Sequence, residues 1–484
     1  MHPMALHGRG TSGSSSLRGA EQGWGGHVSP SHELRTKDRT WPWFLALAGI
    51  LFACTGVAFA QQAPAEPDPD GEGQAAYFDD DEQETFPRVT WGALLDMRAV
   101  RSDDTVSFLD RGLGKARYGS LDDRPATLLT LGQASFTLAF DVSENLGGHV
   151  QLNVDTEPSR VQDRARVDLI EGFLTYRPQL SPSVALELRA GNFFPPVSLE
   201  HPEQAWSTRY TITPSAINAW IGEEVRTTGL EAGVHLALGQ SELTLRGAAF
   251  GGNDPTGTLL AFRGWAMHDR QTGLSDRIPL APLPVLEPGQ RFSRQVPWVS
   301  PFREIDGRLG YYVEGRWDNR RFLRVSALRY DNRGDPVSFD RHQYGWRTDF
   351  DHVAVALSLS EHVELLGQAM RGRTIMGRTR AGGWALDAEF EAFYGMAVAK
   401  AGRHRLAARY DWFEATDLDA LKPIDNNDEY GYAWTVAYQF QTGETHRLAL
   451  EWLSIESDRP AREALGWPVE ITENLFQASF RVWF

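Results

Sequence analysis

The sequence predicts an all-β protein, a transmembrane antiparallel up-and-down β-barrel of about 16 strands with long outer loops and short periplasmic turns. Three observations favour this fold class. Runs of about ten residues alternate apolar and polar side chains, the connections between the runs alternate between short and long, and the N-terminal segment has the order of a secretory signal.

The alternating runs are the elements from which the barrel is built. Between positions 432 and 440, apolar residues at even positions alternate with small or polar residues at odd positions. A period of two indicates a strand with one apolar and one polar face. Such runs predict strands near 88–100, 126–142, 148–157, 165–177, 183–191, 228–238, 242–251, 306–317, 321–331, 344–359, 363–373, 384–400, 404–414, 429–440, 445–457 and 471–484.

The connections sort by length along the chain. Short turns are predicted at 143–147, 178–182, 239–241, 318–320, 360–362, 401–403 and 441–444, and long connections at 101–125, 192–227, 252–305, 332–343 and 415–428. Outer-membrane barrels have short periplasmic turns and long outer loops, and an even strand number brings both ends of the barrel to the periplasmic side. A soluble all-β protein has no reason to sort its loops in this way.

Residues 1–60 are interpreted as an N-terminal extension and a cleaved signal peptide. Arg35, Lys37 and Arg39 precede an apolar stretch from 41 to 57, which ends in the small-residue motif Ala58-Phe59-Ala60. This order is typical of a secretory signal cleaved after position 60. The alternative is a permanent membrane anchor, although the apolar stretch is shorter than the roughly 20 residues that a spanning helix needs.

The processed chain would divide into an acidic segment, 61–87, and the barrel, 88–484. The acidic segment contains nine Asp or Glu residues and no Lys or Arg, so we expect it to be disordered in the periplasm. Without residues 1–60 the formal net charge becomes −18, because that stretch carries five basic and three acidic residues. Such acidity argues against a nucleic-acid partner. The only cysteine, Cys54, lies in the leader, so we expect no disulfide.

The last strand and the aromatic residues fit a membrane barrel. Phe476, Ala478, Phe480, Val482 and the terminal Phe484 share one face of the last run. A final strand of this pattern is similar to the C-terminal signal by which outer-membrane barrels are inserted. Aromatic residues expected in girdles at the two membrane interfaces are Trp91, Trp317, Tyr410, Trp412, Trp434, Tyr438, Trp452 and Phe484.

The polar faces carry charges of both signs, which are expected to line an aqueous lumen. The predicted channel-lining arginines are Arg98, Arg189, Arg246, Arg316, Arg324, Arg405, Arg409 and Arg447. Acidic residues on the same faces are Asp96, Asp155, Glu187, Glu231, Glu314, Glu364, Asp411 and Glu451. Rings of fixed charge select ions in pores. For any single residue, however, pairing with a neighbour across the strands is the favoured interpretation.

The connection 192–227 is the candidate channel constriction. It is rich in aromatic residues for an exposed loop, which indicates packing against the inner wall of the barrel. The candidate constriction residues are Glu200, His201, Glu203, Arg209, Glu223, Glu224 and Arg226. The alternative is an outer loop that packs on its neighbours.

Part of the sequence resembles a known family. Residues 188–200, Leu-Arg-Ala-Gly-Asn-Phe-Phe-Pro-Pro-Val-Ser-Leu-Glu, resemble a stretch of the phosphate-selective porins O and P, in which a strand ends in a Gly–polar–Phe turn before the constriction loop. Residues 168–178 and 229–233 are similar to the strands on either side. The resemblance covers about 168–236 and implies a sixteen-stranded trimeric porin for small anionic or neutral solutes. It departs from the family in lysine content, since only Lys115, Lys400 and Lys422 follow the leader.

The predicted function is therefore passive diffusion of small, anionic or neutral solutes across the outer membrane of a Gram-negative bacterium. Expected partners are outer-membrane lipid, small solutes and two further copies of the chain. No cofactor, metal or catalytic residue is predicted. The alternatives are an outer-membrane barrel enzyme, for which there is no G-x-S-x-G motif, and a non-conducting structural barrel. The acidic stretch 425–429 offers oxygen ligands for calcium, but a solvated loop is the favoured interpretation.

Overall fold

The computed structural model describes residues 85–121, 124–154, 167–379, 382–419, 421–422 and 425–484. The predicted leader, most of the acidic segment (61–84) and the connection 155–166, with Asp155, lie outside the described residues.

Sixteen strands form the barrel, which confirms the predicted strand number and order. They are β1 Arg88–Ser102, β2 Ala126–Ser143, β3 Leu146–Val154, β4 Val167–Tyr176, β5 Val184–Phe193, β6 Thr227–Leu238, β7 Ser241–Gly251, β8 Gly310–Asp318, β9 Leu323–Asp331, β10 Arg347–Ser360, β11 Val363–Arg378, β12 Trp384–Ala401, β13 His404–Asp417, β14 Glu429–Gln441, β15 His446–Asp458 and β16 Glu470–Trp483. Most boundaries lie within three residues of those predicted. A short strand, Gln179–Ser181, continues β4 beyond Pro178, whose missing N–H interrupts the ladder.

The sheet closes on itself. Each strand pairs antiparallel with the next, and β1 pairs with β16 from Leu94 opposite Trp483 to Ser102 opposite Leu475. Closure leaves no sheet edge with unpaired backbone N–H and C=O groups, which is the condition for a β structure to survive in hydrocarbon. The fold is thus the predicted closed antiparallel barrel.

The connections sort to opposite ends of the barrel, as predicted. The short turns all lie at the end where β1 begins and β16 ends. The other end carries the long loops, and also the connections 379–383 and 459–469, which were not among the predicted long connections. Two α-helices lie in the described parts of the long loops, α1 Ala216–Glu224 and α2 Thr258–Phe262. Among the described residues, no helix has the length and apolar character needed to cross a membrane.

The outer wall is apolar and exposed. Leu230 is 66% exposed and Trp91 is 63% exposed, and their strand neighbours point into the barrel. All eight predicted girdle residues face outward and are at least partly exposed. Some of them contact aromatic rings on neighbouring strands, as Trp412 stacks on Phe393 at 5.5 Å between ring centroids. Exposed apolar surface of this kind marks a site of contact with lipid or with another protein.

Candidate functional site

The long loop 194–226, between β5 and β6, lies inside the barrel, and we call it the inserted loop. It ends in α1, which begins after Ser215, whose hydroxyl accepts a hydrogen bond from the Asn218 N–H. All nine residues of α1 are buried. A short helix can bury every side only where other elements surround it, and here the surrounding elements are the inner wall and the following long loop.

Arg409 of β13 is the main charged contact between wall and inserted loop. Its guanidinium is fully buried and donates to Asp411 at 2.7 Å, to Glu200 of the loop at 2.7 Å and to the carbonyl of Thr213 at 2.8 Å. Removing one member of a buried, hydrogen-bonded ion pair leaves a charge without compensation, which typically costs about 3–5 kcal/mol. This contact therefore fixes the loop to one side of the lumen.

Hydrogen bonds from wall side chains to loop backbone groups fix the rest of the inserted loop. The carboxylate of Glu451 accepts the backbone N–H groups of Ile212 at 2.5 Å and Thr213 at 3.0 Å. The amide of Gln368 donates to the carbonyl of Val197 at 2.8 Å and accepts from the Leu199 N–H at 3.1 Å. Inward-facing wall residues thus pair with loop backbone groups that would otherwise be buried without partners.

His201 lies in an aromatic stack within the inserted loop. Its ring lies on Trp206 at 3.6 Å between centroids, and Trp206 also stacks on Phe194 at 4.2 Å. Burial lowers the pKa of His201 to about 3, so the ring is neutral at physiological pH. The Ser198 hydroxyl lies 2.7 Å from Nδ1 of His201. Among the described residues no carboxylate hydrogen-bonds to the other ring nitrogen, as the orienting acid of a catalytic triad would.

An apolar layer crosses the barrel toward the long-loop end. One buried cluster joins α1 to inward-facing residues of thirteen strands, all except β2, β3 and β6. At its centre the ring of Trp220 meets those of Phe390 at 5.3 Å, Phe350 at 5.6 Å and Trp265 at 6.0 Å. The sequence predicts an aqueous lumen, whereas at this level loop and wall side chains are packed together. We call this cluster the apolar layer.

The long loop 252–309 covers the apolar layer. Its helix α2 and the segment around Leu280 pack with Trp346, Met376 and Leu386 in a second buried cluster. Sequence reasoning missed this arrangement because the apolar residues of 252–305 follow neither a strand nor a helix period. The high apolar content of the segment was the available signal.

The last two residues of α1 differ in their surroundings. Glu223 pairs with Arg263 at 2.7 Å and with His268 at 3.0 Å. Burial alone would raise the pKa of Glu223, but these two partners lower it to about 2. Glu224 instead accepts hydrogen bonds from the Trp220 indole at 2.7 Å and the Leu259 N–H at 3.0 Å, both uncharged. Burial therefore raises the pKa of Glu224 to about 7.

The half of the lumen nearer the short turns is lined with charged side chains, and we call it the charged half. Ion pairs there join Arg189 to Glu231 at 2.7 Å, Arg246 to Glu314 at 3.0 Å, Arg316 to Glu314 at 2.9 Å, Arg324 to Asp318 at 2.7 Å and Arg447 to Glu203 at 2.8 Å. Most of these residues are partly exposed, so the lumen here is open to water. The alternation of the two signs matches the cross-strand pairing favoured from the sequence.

The eight predicted channel-lining arginines all face the lumen, at different depths. Arg98, Arg409 and Arg447 are buried and bound to carboxylates, and the other five are partly or largely exposed. Lys400, which the sequence reasoning did not include, also faces the lumen. The signal for it was available, since it continues the inward-facing positions 396 and 398 of β12.

The seven predicted constriction residues separate into two groups. Glu200, His201, Glu203 and Arg209 lie in the first part of the inserted loop, and Glu203 and Arg209 are partly exposed. The others, Glu223, Glu224 and Arg226, are at most 1% exposed. Arg226 donates to the carbonyl of Ile170 at 2.8 Å and lies over the ring of Phe302 at 4.3 Å. Only the first group borders the charged half.

Two acidic groups in the long loops offer oxygen ligands. Carboxylate oxygens of Asp254, Glu304 and Asp306 lie within 4.8 Å of one another, and each residue also accepts backbone N–H groups. In the acidic stretch 425–429, Glu429 is buried and pairs with Lys115, and Asp428 pairs with Lys422 at 2.6 Å. Both groups have partners from the protein, and no metal role follows from their geometry.

Comparison with known proteins shows the fold alone. No protein-family profile and no curated protein matches the sequence. The fold is similar to that of the outer membrane channel DcaP of Acinetobacter baumannii, at 11% identity and a TM-score of 0.50, over 82% of this chain and 97% of that chain. An anion-selective porin from Comamonas acidovorans follows at 12% identity and a TM-score of 0.49, over 82% and 100% of the two chains. OmpT, an outer membrane protein of Vibrio cholerae, has 9% identity and a TM-score of 0.45, over 83% and 99%. The last two similarities are too weak to add an argument.

Proposed function

We propose that the protein is an outer-membrane porin that allows passive diffusion of small, anionic or neutral solutes. The observation that supports this most is the inversion of polarity across one closed wall. Exposed apolar side chains cover its outside, and charged side chains cover the inside of the charged half. Such a wall suits hydrocarbon on its outside and water on its inside.

The proposed location is the outer membrane of a Gram-negative bacterium, reached through a signal peptide cleaved after residue 60. Closed barrels and helices are the structures that satisfy every backbone polar group in a bilayer. The similarity to the DcaP channel supports the barrel part of this proposal. A homotrimer and membership of the porin O and P family remain predictions from the resemblance of residues 168–236.

The inserted loop is the proposed selectivity element. Glu203 and Arg209 border the charged half. Glu200 and His201 hold the part of the inserted loop in which these two residues lie. The apolar end of the loop, with Glu223, Glu224 and Arg226, is proposed to act through packing. Arg98, Arg189, Arg246, Arg316, Arg324, Arg405, Arg409 and Arg447 are the proposed lining. Anion preference is expected because Arg209 and Arg405 form no ion pair with a described residue.

A non-conducting structural barrel is the second candidate, and the apolar layer favours it. Thirteen strands and α1 meet in that layer, so a solute has to pass beside it or displace it. A porin with such a layer is expected to have a small conductance, or one that requires opening of the loops.

Planar-bilayer recording of the purified mature chain tests the two candidates. A porin gives discrete conductance steps, and a potassium chloride gradient gives a reversal potential on the anion side. A cation-side potential would contradict the proposed anion preference. Complete absence of steps from correctly folded protein, checked by the heat-modified mobility of the barrel on a gel, would favour the structural barrel.

A further inference from the structure

Two pairs of cations face each other directly across neighbouring strands in the charged half. Arg447 of β15 is opposite Arg481 of β16, and Lys400 of β12 is opposite Arg405 of β13. Like charges placed directly opposite on adjacent strands destabilise a sheet unless something compensates them. The two pairs differ in how they are compensated.

The inserted loop supplies a carboxylate to the first pair. Both terminal guanidinium nitrogens of Arg447 donate to Glu203, at 3.0 and 2.8 Å, and Glu203 also lies 4.0 Å from Arg481. Arg481 donates in addition to Asp96 at 2.9 Å. The parallel double contact of Arg447 is the geometry in which arginine holds a carboxylate most strongly. Glu203 therefore acts as a tethered anionic ligand of this pair.

The second pair has no such carboxylate on its arginine. Lys400 pairs with Glu364 at 3.1 Å, but Glu364 also accepts a hydrogen bond from the hydroxyl of Tyr210 at 2.5 Å. Arg405 lies over the ring of Tyr210 at 6.0 Å and has no ion pair with a described residue. Arg209, next to Tyr210 in the inserted loop, is a third cation without an ion pair in the described part of the chain.

We propose that Lys400 and Arg405 bind the carboxylate group of a small organic anion on the short-turn side of the inserted loop. Both side chains are partly exposed, so a solute from the charged half reaches them. The buried ring of Tyr210 fixes the two cationic side chains from one side. The carboxylate takes the place that Glu203 occupies at the neighbouring pair, because a planar carboxylate matches a guanidinium. This site depends on the proposed porin function in one respect only, because diffusion through the barrel supplies the organic anion.

Saturation-transfer NMR of acetate with the detergent-solubilised mature chain measures this binding without requiring conduction. We expect saturable binding at low salt, weakened about fivefold or more by Arg405→Gln and by Lys400→Gln. Arg405→Lys keeps the charge but loses the planar guanidinium, so it should weaken binding less than Arg405→Gln does. The matched control is Arg177→Gln, which removes an arginine at the same end of the barrel that already pairs with Glu187 at 3.0 Å. It should leave acetate binding within twofold of the wild-type protein.

Each outcome decides one point. Equal acetate binding by the wild-type protein and the Arg405→Gln variant would overturn the site. Displacement of acetate by inorganic phosphate, at a concentration below that at which acetate half-saturates, would overturn the choice of a carboxylate. Binding by a protein that shows no conductance steps would support the site while the porin function fails. Conductance without acetate binding would leave the function in place and overturn the site.

Discussion

The two halves of the barrel interior are built by the same strands and hold opposite chemistry. Toward the long loops, inward positions are filled by residues such as Phe350 and Phe390, and the inserted loop packs on them in the apolar layer. Toward the short turns, the same strands present charged residues, such as Lys400 of β12. The alternating pattern therefore fixes which side chains face inward, and the residue type at each inward position decides whether the lumen is dry or wet there.

The two halves also differ in what holds them. Removing a large aromatic side chain from a packed interior typically costs about 3–5 kcal/mol. An ion pair that water reaches contributes about 0–1 kcal/mol. We therefore expect the apolar layer to determine how firmly the inserted loop is held, and the charged half to act mainly on solutes.

The substitution Trp220→Ala should have the largest effect, because it removes the ring at the centre of the apolar layer. We expect the free energy of local opening of α1 to fall by about 3–5 kcal/mol. Hydrogen exchange of the backbone amides of α1 measures this free energy. The matched control is Trp434→Ala, which removes an exposed ring from the outer wall and should leave the exchange of α1 unchanged. Equal effects of the two substitutions would contradict the difference between the layer and the outer wall.

Sequence patterns were sufficient to predict the strands of the barrel wall and insufficient to predict how the loops pack inside it. Period-two alternation and connection length predicted all sixteen strands, because each strand responds to a local requirement, one face to lipid and the other inward. The inserted loop and α2 obey no such period, since their residues are buried by distant elements. Glu224 illustrates the limit: in the sequence it resembles Glu203, yet one is buried beside Trp220 and the other pairs with Arg447. That distinction depends on long-range packing.

The pH dependence of α1 opening should be the next largest effect. Because burial raises the pKa of Glu224 to about 7, the folded loop binds a proton that the opened loop, with the ordinary pKa of about 4.5, releases. The contribution of Glu224 to the free energy of opening is fully present below about pH 4.5 and is lost as the pH rises to about 7. The free energy of opening falls by at most about 1.4 kcal/mol per pH unit over this range.

Glu224→Gln should remove this part of the slope in hydrogen exchange of α1. Burial and neighbouring acids also raise the pKa of Asp254, in the long loop 252–309, to about 7. Because Asp254 therefore adds to the pH dependence of α1 opening, Asp254→Asn is measured in parallel. A slope that stays the same in the Glu224→Gln variant would show that the carboxyl group of Glu224 is already ionised in the folded loop.

The smallest effect is expected in the charged half, for Arg324→Gln. The guanidinium of Arg324 pairs with Asp318 at 2.7 Å, but its side chain is 47% exposed, so water and salt screen the pair. We expect barrel stability to change by less than about 1 kcal/mol in chemical unfolding from lipid vesicles, and the change to vanish at high salt. A loss of about 3–5 kcal/mol in barrel stability, as large as the effect expected for Trp220→Ala on α1, would mean that the short-turn end is as dry as the apolar layer. Solutes would then meet two barriers rather than one, and the structural barrel would become the better interpretation.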